Sequence, residues 1–177
     1  MPGGCPEDAY TVEPLAANHD RVAFACGQPT LDRYLREQAR QDAKRSVAAT
    51  FVAVPHGTKA VAGYYTLAAT SVDVGELPPA VAAKLPRYPT LPATLLGRLA
   101  VDQRHQGCGL GEYLLVHALR RSLTASREIG SLAVIVDAID DRAYAFYKRY
   151  EFVPFPDQSR RLFLPMQSIV RLFGEKT

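Results

Sequence analysis

Cysteine is scarce in this sequence, and long apolar runs are missing. Cys5, Cys26 and Cys108 are odd in number, widely separated and without CxxC spacing, so neither a disulfide frame nor a zinc site is suggested. His19, His56, His105 and His117 form no ligand cluster, which argues against a metal enzyme. No stretch approaches the roughly 20 apolar residues needed to cross a bilayer. The opening MPGGCPEDAY has no basic segment leading into an apolar core. Both absences imply a cytoplasmic protein. Net charge is also small: 21 Lys and Arg against 18 Asp and Glu leave +3, which alone does not imply nucleic-acid binding.

What is present fits one ordinary domain. The chain has 177 residues, 47% hydrophobic and 22% charged, enough to bury a continuous core without staples. A single domain over residues 1–177 is expected, with residues 1–8 as a flexible end. YTVEPL (10–15) reads as a strand. NHDRVAFACG (18–27) reads as a short helix, with Asn18 to cap it and Gly27 to end it. PTLDRYLREQARQDAKR (29–45) is a stronger helix, with Pro29 in its opening turn and Leu31, Tyr34, Leu35 and Ala39 on an apolar face. Residues 47–72 suggest two strands joined at PHGTK, because β-branched and aromatic residues flank a glycine-containing turn. Residues 75–92 carry five prolines, which excludes a central strand and allows a brief helix at 80–85.

Further along, ATLLGRLAV (93–101) predicts a strand and residues 112–129 a helix. SLAVIVDAI (131–139) predicts a strand buried on both faces. DDRAYAFYKRY (140–150) predicts a shorter helix, EFVPF and RRLFLPM two late strands, and QSIVRLFG a final helix. The expected fold class is α/β: a mixed, twisted central sheet of six to seven strands flanked by helices.

Between the 93–101 strand and the next helix stands AVDQRHQGCGLGEYLL, with Gly107, Gly109 and Gly111. Strand, glycine-rich turn and helix aim backbone N–H groups and the positive end of a helix dipole at an anion. A tight turn without ligand would use similar residues. A dinucleotide fold is disfavoured, because the motif comes after four strands and lacks the expected acidic residue beyond it. A P-loop is excluded by the absence of Gly-Lys-Ser/Thr. Arg104-x-x-Gly107-x-Gly109 remains.

LGRLAVDQRHQGCGLGEYLL resembles the acetyl-coenzyme A binding region of the GNAT N-acetyltransferases. FACGQPTLDRYLREQA, VAGYYTLAATSV, LGRLAVDQRHQGCGLG and AFYKRYEFVPF together resemble, in order, blocks of the GNAT toxins of bacterial toxin–antitoxin pairs. That resemblance implies transfer of acetyl from acetyl-CoA to the α-amine of aminoacyl-tRNA, which blocks translation. It also implies a ribbon-helix-helix antitoxin, repression of operator DNA by the joint complex, and a homodimer. For the coenzyme, it implies that Arg104 and the loop of Gln106, Gly107, Cys108, Gly109, Leu110 and Gly111 hold the pyrophosphate. Backbone groups of Leu99 and Val101 would meet the acetyl-pantetheine arm. Tyr147 would be the general acid.

Three positions depart from the family pattern. Cys108 stands where a basic residue is frequent, Asp140 where many relatives have Asn, and Glu151 where Gly usually comes after the last helix. Tyr147 has a structural alternative as well, since Ala143, Phe146 and Tyr150 fall at i, i+3 and i+7 and would make that face core, with Tyr147 at its margin.

The acceptor is suggested by the lack of an obvious base beside the motifs. A lysine amine near pKa 10.4 needs about three units of help at neutral pH, whereas an α-amine near 7.7–8.0 is already partly neutral. Arg33, Arg36, Arg40 and Lys44 lie at i, i+3, i+7 and i+11, within an arc of roughly 80° on a straight α-helix. Arg45 extends the stripe, and Arg98 stands beside the expected acetyl site. These six could bind tRNA phosphates, or the stripe could be a solvated face. Tyr64 and Tyr65 point to opposite faces of a strand, and either could line the acceptor pocket. Acetylation of a small amine or a protein N-terminus, and a non-catalytic coenzyme-binding regulatory module, stay open as alternatives.

Overall fold

The computed structural model describes residues 6–174. Its elements are α1 (Pro6–Ala9), β1 (Tyr10–Pro14), α2 (Pro29–Arg33), α3 (Ala39–Lys44), β2 (Ala49–Pro55), β3 (Gly63–Asp73), α4 (Pro79–Ala82) and β4 (Thr90–Val101). Next come α5 (Leu110–Ser126), β5 (Ala133–Asp137), α6 (Asp141–Arg149), β6 (Val153–Pro154), β7 (Arg161–Pro165) and α7 (Met166–Leu172). Seven strands make one sheet in the order β1-β2-β3-β4-β5-β7-β6. The mixed α/β class expected from the sequence is the one observed. The chain gathers into two compact units, one formed by the segment up to Ala68 with Gly97–Ala118, the other by Ala69–Leu96 with the segment from Leu119 onward.

In the first unit, β1 pairs antiparallel with β2 and β2 with β3, setting Phe51 opposite Tyr65 and Val52 opposite Tyr64. Its core holds Phe24, Tyr34, Leu35, Ala39, Val52, Val54, Val61, Tyr64 and Ala100, and burying one large apolar side chain contributes roughly 1.5–3 kcal/mol. Gly63 has a packing reason: a Cβ there would lie 2.8 Å from Leu114 Cδ1 and 3.1 Å from the Ala100 carbonyl oxygen. A side chain there would displace the buried tip of Leu114 and crowd the Ala100 carbonyl.

The helix expected over 18–27 does not form. Asp20 instead makes a parallel bridge to Ala60, donating its N–H to the Lys59 carbonyl and accepting from Val61 N. Val22 N bonds the Asp20 side chain, Ala25 N bonds Asp102, and Cys26 N bonds Asp32. With donors and acceptors committed to distant partners, no i to i−4 ladder is left to build. Gly27 does adopt a left-handed φ of +99°, as a bend rather than a helix end. At the other edge of that expectation, the segment 1–8 is partly outside the described residues, and Pro6–Ala9 forms a helical turn rather than a loose end.

The 29–45 helix forms, but not as a straight α-helix. Tyr34–Gln38 is a π-helical turn between α2 and α3, in which Ala39 N donates to the Tyr34 carbonyl five residues back. A π turn holds about one extra residue, which rotates the residues beyond it back by roughly 100° relative to an α-helix. The single-face stripe of Arg33, Arg36, Arg40 and Lys44 is therefore broken between its first and later members.

In the second unit, β4 pairs in parallel with β5 over Thr94–Leu96, and β5 pairs antiparallel with β7. Ala133, Val134, Ile135 and Val136 are all buried, as the unbroken apolar run of β5 requires. Val72, Leu77, Ala93, Ile135, Phe155 and Phe163 share its core. β4 starts at Thr90, so Pro92 lies inside it, near the strand start, where a missing N–H costs least.

Candidate functional site

β4 ends at Val101, and a short 3-10 turn at Gln103–His105 leads into the glycine loop and α5. Gly107 and Gly109 have φ of +81° and +85°. Those left-handed values, rather than crowding, require glycine: a Cβ at Gly107 would meet nothing within 4 Å. Gly111 has an ordinary φ and room for a Cβ, 3.8 Å from Val101 Cγ2. Among the described residues, the amides of Gly107, Cys108, Gly109, Leu110 and Gly111 find no acceptor, and Tyr113 N to the Gly109 carbonyl is the first bond of the α5 ladder. Five unpaired N–H groups at the start of a 17-residue helix fit a pyrophosphate-sized anion.

Asp102 anchors the loop. Its carboxylate, 1% exposed, accepts from Ala25 N at 3.0 Å, Arg104 N at 2.9 Å, and Arg104 Nε and Nη2 at 3.0 and 3.3 Å. Burial pushes this carboxyl up, but the Arg104 guanidinium and the two backbone N–H groups push it further down, below the ordinary carboxylate value. Gln106 Nε2 donates to the carbonyls of Cys26 and Val101 at 3.1 and 2.9 Å. The Val101 carbonyl is thus already engaged. Cys108 is exposed and its Sγ donates to the His105 carbonyl at 3.0 Å. His105 Nδ1 is hydrogen-bonded to the Tyr10 hydroxyl at 2.7 Å, and burial together with Cys108 pushes that phenol up to about 12.

Residues 48–154, more than half of the chain, match the model of the acetyltransferase (GNAT) domain. The chain belongs to the GNAT acetyltransferases. Among curated relatives, this GNAT chain is 37% identical over 156 residues to a tRNA-acetylating toxin of Mycobacterium tuberculosis, covering 88% of this chain and 92% of the relative. It is 30% identical over 171 residues to a probable toxin TacT of Sinorhizobium fredii, covering 92% and 94%. Among solved structures, a tyrosine-to-phenylalanine mutant of KacT superposes with a TM-score of 0.88 at 33% identity, covering 93% of this chain and 99% of that one. AtaT complexed with acetyl-methionyl-tRNAfMet superposes with a TM-score of 0.86 at 31% identity over the same shares.

The basic residues of this GNAT chain have unequal surroundings. Arg33, Lys44 and Arg45 are exposed and Arg40 is half-buried. Arg36 is spoken for: its Nη1 donates to the Phe24 carbonyl at 2.8 Å, while Arg21 Nη1 donates to the carbonyls of Leu35 and Arg36. Arg98, half-buried on β4, lies with Cζ 3.5 Å from the centre of the Tyr34 ring. Leu99 is half-buried beside it. Tyr64 and Tyr65 are both fully buried, with hydroxyls bonded to the Leu31 carbonyl and to His117 Nδ1, each at 2.7 Å.

Tyr147 lies in the second unit, on α6. Asp140 starts that helix by accepting from Ala143 N at 2.8 Å, a conventional cap. Tyr147 is 6% exposed and packs edge-on against Phe146 and Phe152, whereas Ala143, Phe146 and Tyr150 are half-buried. The expected order, with Tyr147 at the margin of a core made by the other three, is reversed. Burial pushes its phenol well above the ordinary value, so it holds its proton at any physiological pH. Glu151 has a φ of +68°, the left-handed turn that a glycine would ordinarily make.

Sequence reasoning passed over Asp102, Gln103, Asp42 and Arg21. The signal for Asp102 was an acid two residues before Arg104 at a strand end. Nothing local marked the others. Among the described residues no cluster of His, Cys, Asp and Glu could hold a metal ion, and no helix is long and apolar enough to cross a membrane.

Proposed function

We propose that this chain, as one domain acting in the cytoplasm, transfers the acetyl group of acetyl-coenzyme A to the α-amine of the amino acid on charged tRNA. The observation that carries the reading is the row of amides from Gly107 to Gly111 that find no acceptor among the described residues, supported by relatives named for tRNA acetylation. The coenzyme supplies an acyl group activated as a thioester. Those amides and the N-terminus of α5 would hold its pyrophosphate, with Arg104 beside them and the backbone of Leu99 and Val101 toward its arm. The amine nitrogen attacks the thioester carbonyl carbon, the carbon–sulfur bond breaks, and the sulfur takes a proton from the Tyr147 hydroxyl, while the nitrogen gives up a proton to solvent and solvent restores the phenol. A phenol near 10 giving a proton to a thiolate near 8.5 is uphill by roughly 2 kcal/mol, and burial of Tyr147 adds to that until the departing thiolate is bonded to it. Asp102 is unsuited to act as base, because its oxygens already accept from Arg104 and two amides. An acceptor amine that is partly neutral without help fits such a site.

Solved neighbours include AtaT bound to the C-terminus of its antitoxin AtaR and acetyl-CoA and a KacTA–DNA complex. By the same reading, this chain works with a cognate ribbon-helix-helix antitoxin that represses operator DNA, and as a homodimer. The test is transfer of labelled acetyl from acetyl-CoA by purified protein to charged tRNA, to uncharged tRNA and to free amines. Label on charged tRNA alone is expected, and Tyr147→Phe should lose most single-turnover transfer while keeping its coenzyme affinity. Undiminished transfer by that variant removes Tyr147 as the acid; label on free amines with none on tRNA removes the acceptor assignment.

A further inference from the structure

The Arg98 guanidinium has no hydrogen-bond acceptor and no ion-pair partner among the described residues; what holds it is the face of Tyr34, 3.5 Å away. That ring is itself fixed. Its hydroxyl donates to Asp42 Oδ2 at 2.8 Å, and Gln38 Nε2 donates to Asp42 Oδ1, also at 2.8 Å. The ring packs against Tyr64 at 6.4 Å with 18° between planes, and Tyr34 is 7% exposed. Tyr34 opens the π turn and Asp42 lies on α3, so the widened turn lies between the residue that carries the ring and the residue that holds its hydroxyl.

This arrangement has the chemistry of a receptor for a phosphate. A guanidinium whose carbon sits 3.5 Å from a ring centroid is held through the ring face, which leaves its N–H fork for a phosphate oxygen pair. A phenol that donates to a carboxylate has a more electron-rich ring, which strengthens its hold on a cation. Hydrogen bonds from Gln38 and Tyr34 keep Asp42 ionised by lowering its carboxyl, while burial and Asp42 push the Tyr34 phenol up to about 12.

We propose that Tyr34 and Asp42 are positioning residues that hold the Arg98 guanidinium over the ring face with its N–H groups unengaged, so that it takes a backbone phosphate of the RNA acceptor. The inference rests on the tRNA reading of the site. It makes a prediction opposite in sign to simple electrostatics. Removing the negative charge of Asp42 from a surface that binds RNA should tighten binding if Asp42 contributes only charge. If Asp42 fixes the ring under Arg98, its removal weakens binding.

The experiment measures tRNA affinity against salt, coenzyme affinity, and kcat and KM for charged tRNA, for Asp42→Ala, Tyr34→Phe, Arg98→Lys and Arg98→Ala. Alanine is the better helix former at position 42, so the first variant should fold; Tyr34→Phe keeps the ring and its packing. Arg98→Ala should lose tRNA affinity roughly ten- to hundredfold, and Arg98→Lys most of that, because the fork is lost although the charge stays. Asp42→Ala and Tyr34→Phe should each lose roughly threefold, as KM rather than kcat, and neither should add a loss once Arg98 is Ala. Tighter binding by Asp42→Ala overturns the positioning role. Full affinity in Arg98→Lys reduces the site to a point charge and overturns it too. A loss of coenzyme affinity with tRNA affinity kept assigns the receptor to the coenzyme's phosphates instead. A wild type that binds tRNA without acetylating it, with these variants still weakened, would sink the proposed reaction and leave this inference standing; a wild type that binds no tRNA sinks both.

Discussion

Replacing Asp102 by alanine should cost more stability than any change to an exposed loop residue, and the structure indicates how much. The carboxylate is 1% exposed and accepts from two backbone donors, Ala25 N and Arg104 N. Leaving such donors without an acceptor costs about 1–3 kcal/mol each. The Arg104 side chain, 63% exposed, rehydrates when released, so its ion pair adds little. The net loss is then about 3 kcal/mol, which at a urea m-value of about 2 kcal/mol/M moves the midpoint down by roughly 1.5 M. Asp102→Asn keeps one acceptor oxygen and should lose about half as much. The charge contributes a pH dependence of known sign. The folded carboxyl is lowered, so its contribution is present above the unfolded value near 3.9 and disappears as pH falls through the folded value. Urea unfolding at neutral and acid pH, for wild type and both variants, measures this. An unmoved midpoint for Asp102→Ala refutes the anchoring role. So does coenzyme affinity lost without any loss of stability, because Asp102 would then act on the ligand and not on the loop.

Cys108→Lys would place a cation on the glycine loop and, if that loop holds the coenzyme phosphates as proposed, should tighten coenzyme binding roughly two- to fivefold at low salt, with the gain fading toward physiological ionic strength; a calorimetric titration showing no gain at low salt would mean that the phosphates lie elsewhere. Alkaline stability should fall late and steeply: burial raises the phenols of Tyr10 and Tyr34 to about 12 and those of Tyr64 and Tyr147 above their ordinary value. Stability from these four is complete below the unfolded value near 10 and is lost as pH rises through the folded values, so tyrosinate absorbance before unfolding that exceeds what the other five of the nine tyrosines can supply would contradict the burial.

Strand positions, α5, α6 and the glycine loop were legible because each rests on a local pattern: β-branched alternation, helical spacing, or glycines before a helix. Gly107 and Gly109 are needed for their left-handed backbone, which a run of three glycines suggested without saying which two. Residues 18–27 were misread because Asn18 and Gly27 offered helix ends, whereas the partners of Asp20, Ala25 and Cys26 are Lys59, Asp102 and Asp32. Long-range partners leave no periodic trace. The π turn was invisible for a related reason: spacing arguments assume a constant rotation per residue, and the basic stripe failed at the place where that constant changes. Tyr147 was placed by resemblance alone. Its periodic neighbours pointed to them as the core, and the packing of Phe146 and Phe152 around it decided otherwise.

The misread segment explains how the glycine loop and the basic helix of the first unit are held together. Asp102, Gln103 and Gln106 reach residues 25 and 26 from the loop side, through Ala25 N, the Ala25 carbonyl and the Cys26 carbonyl. From the helix side, Arg36 bonds the Phe24 carbonyl and Arg21 returns two bonds to the π turn. If residues 18–27 were helical, Ala25 N and Cys26 N would donate to the carbonyls of Arg21 and Val22, and their bonds to Asp102 and Asp32 would be lost to that ladder. Local propensity therefore loses here to bonds that only the folded sheet makes available. Of the expected RNA-binding arginines, Arg36 is accordingly a brace between the helix and the loop. Arg98, held over the Tyr34 ring with no hydrogen-bond acceptor among the described residues, keeps its N–H groups for a phosphate.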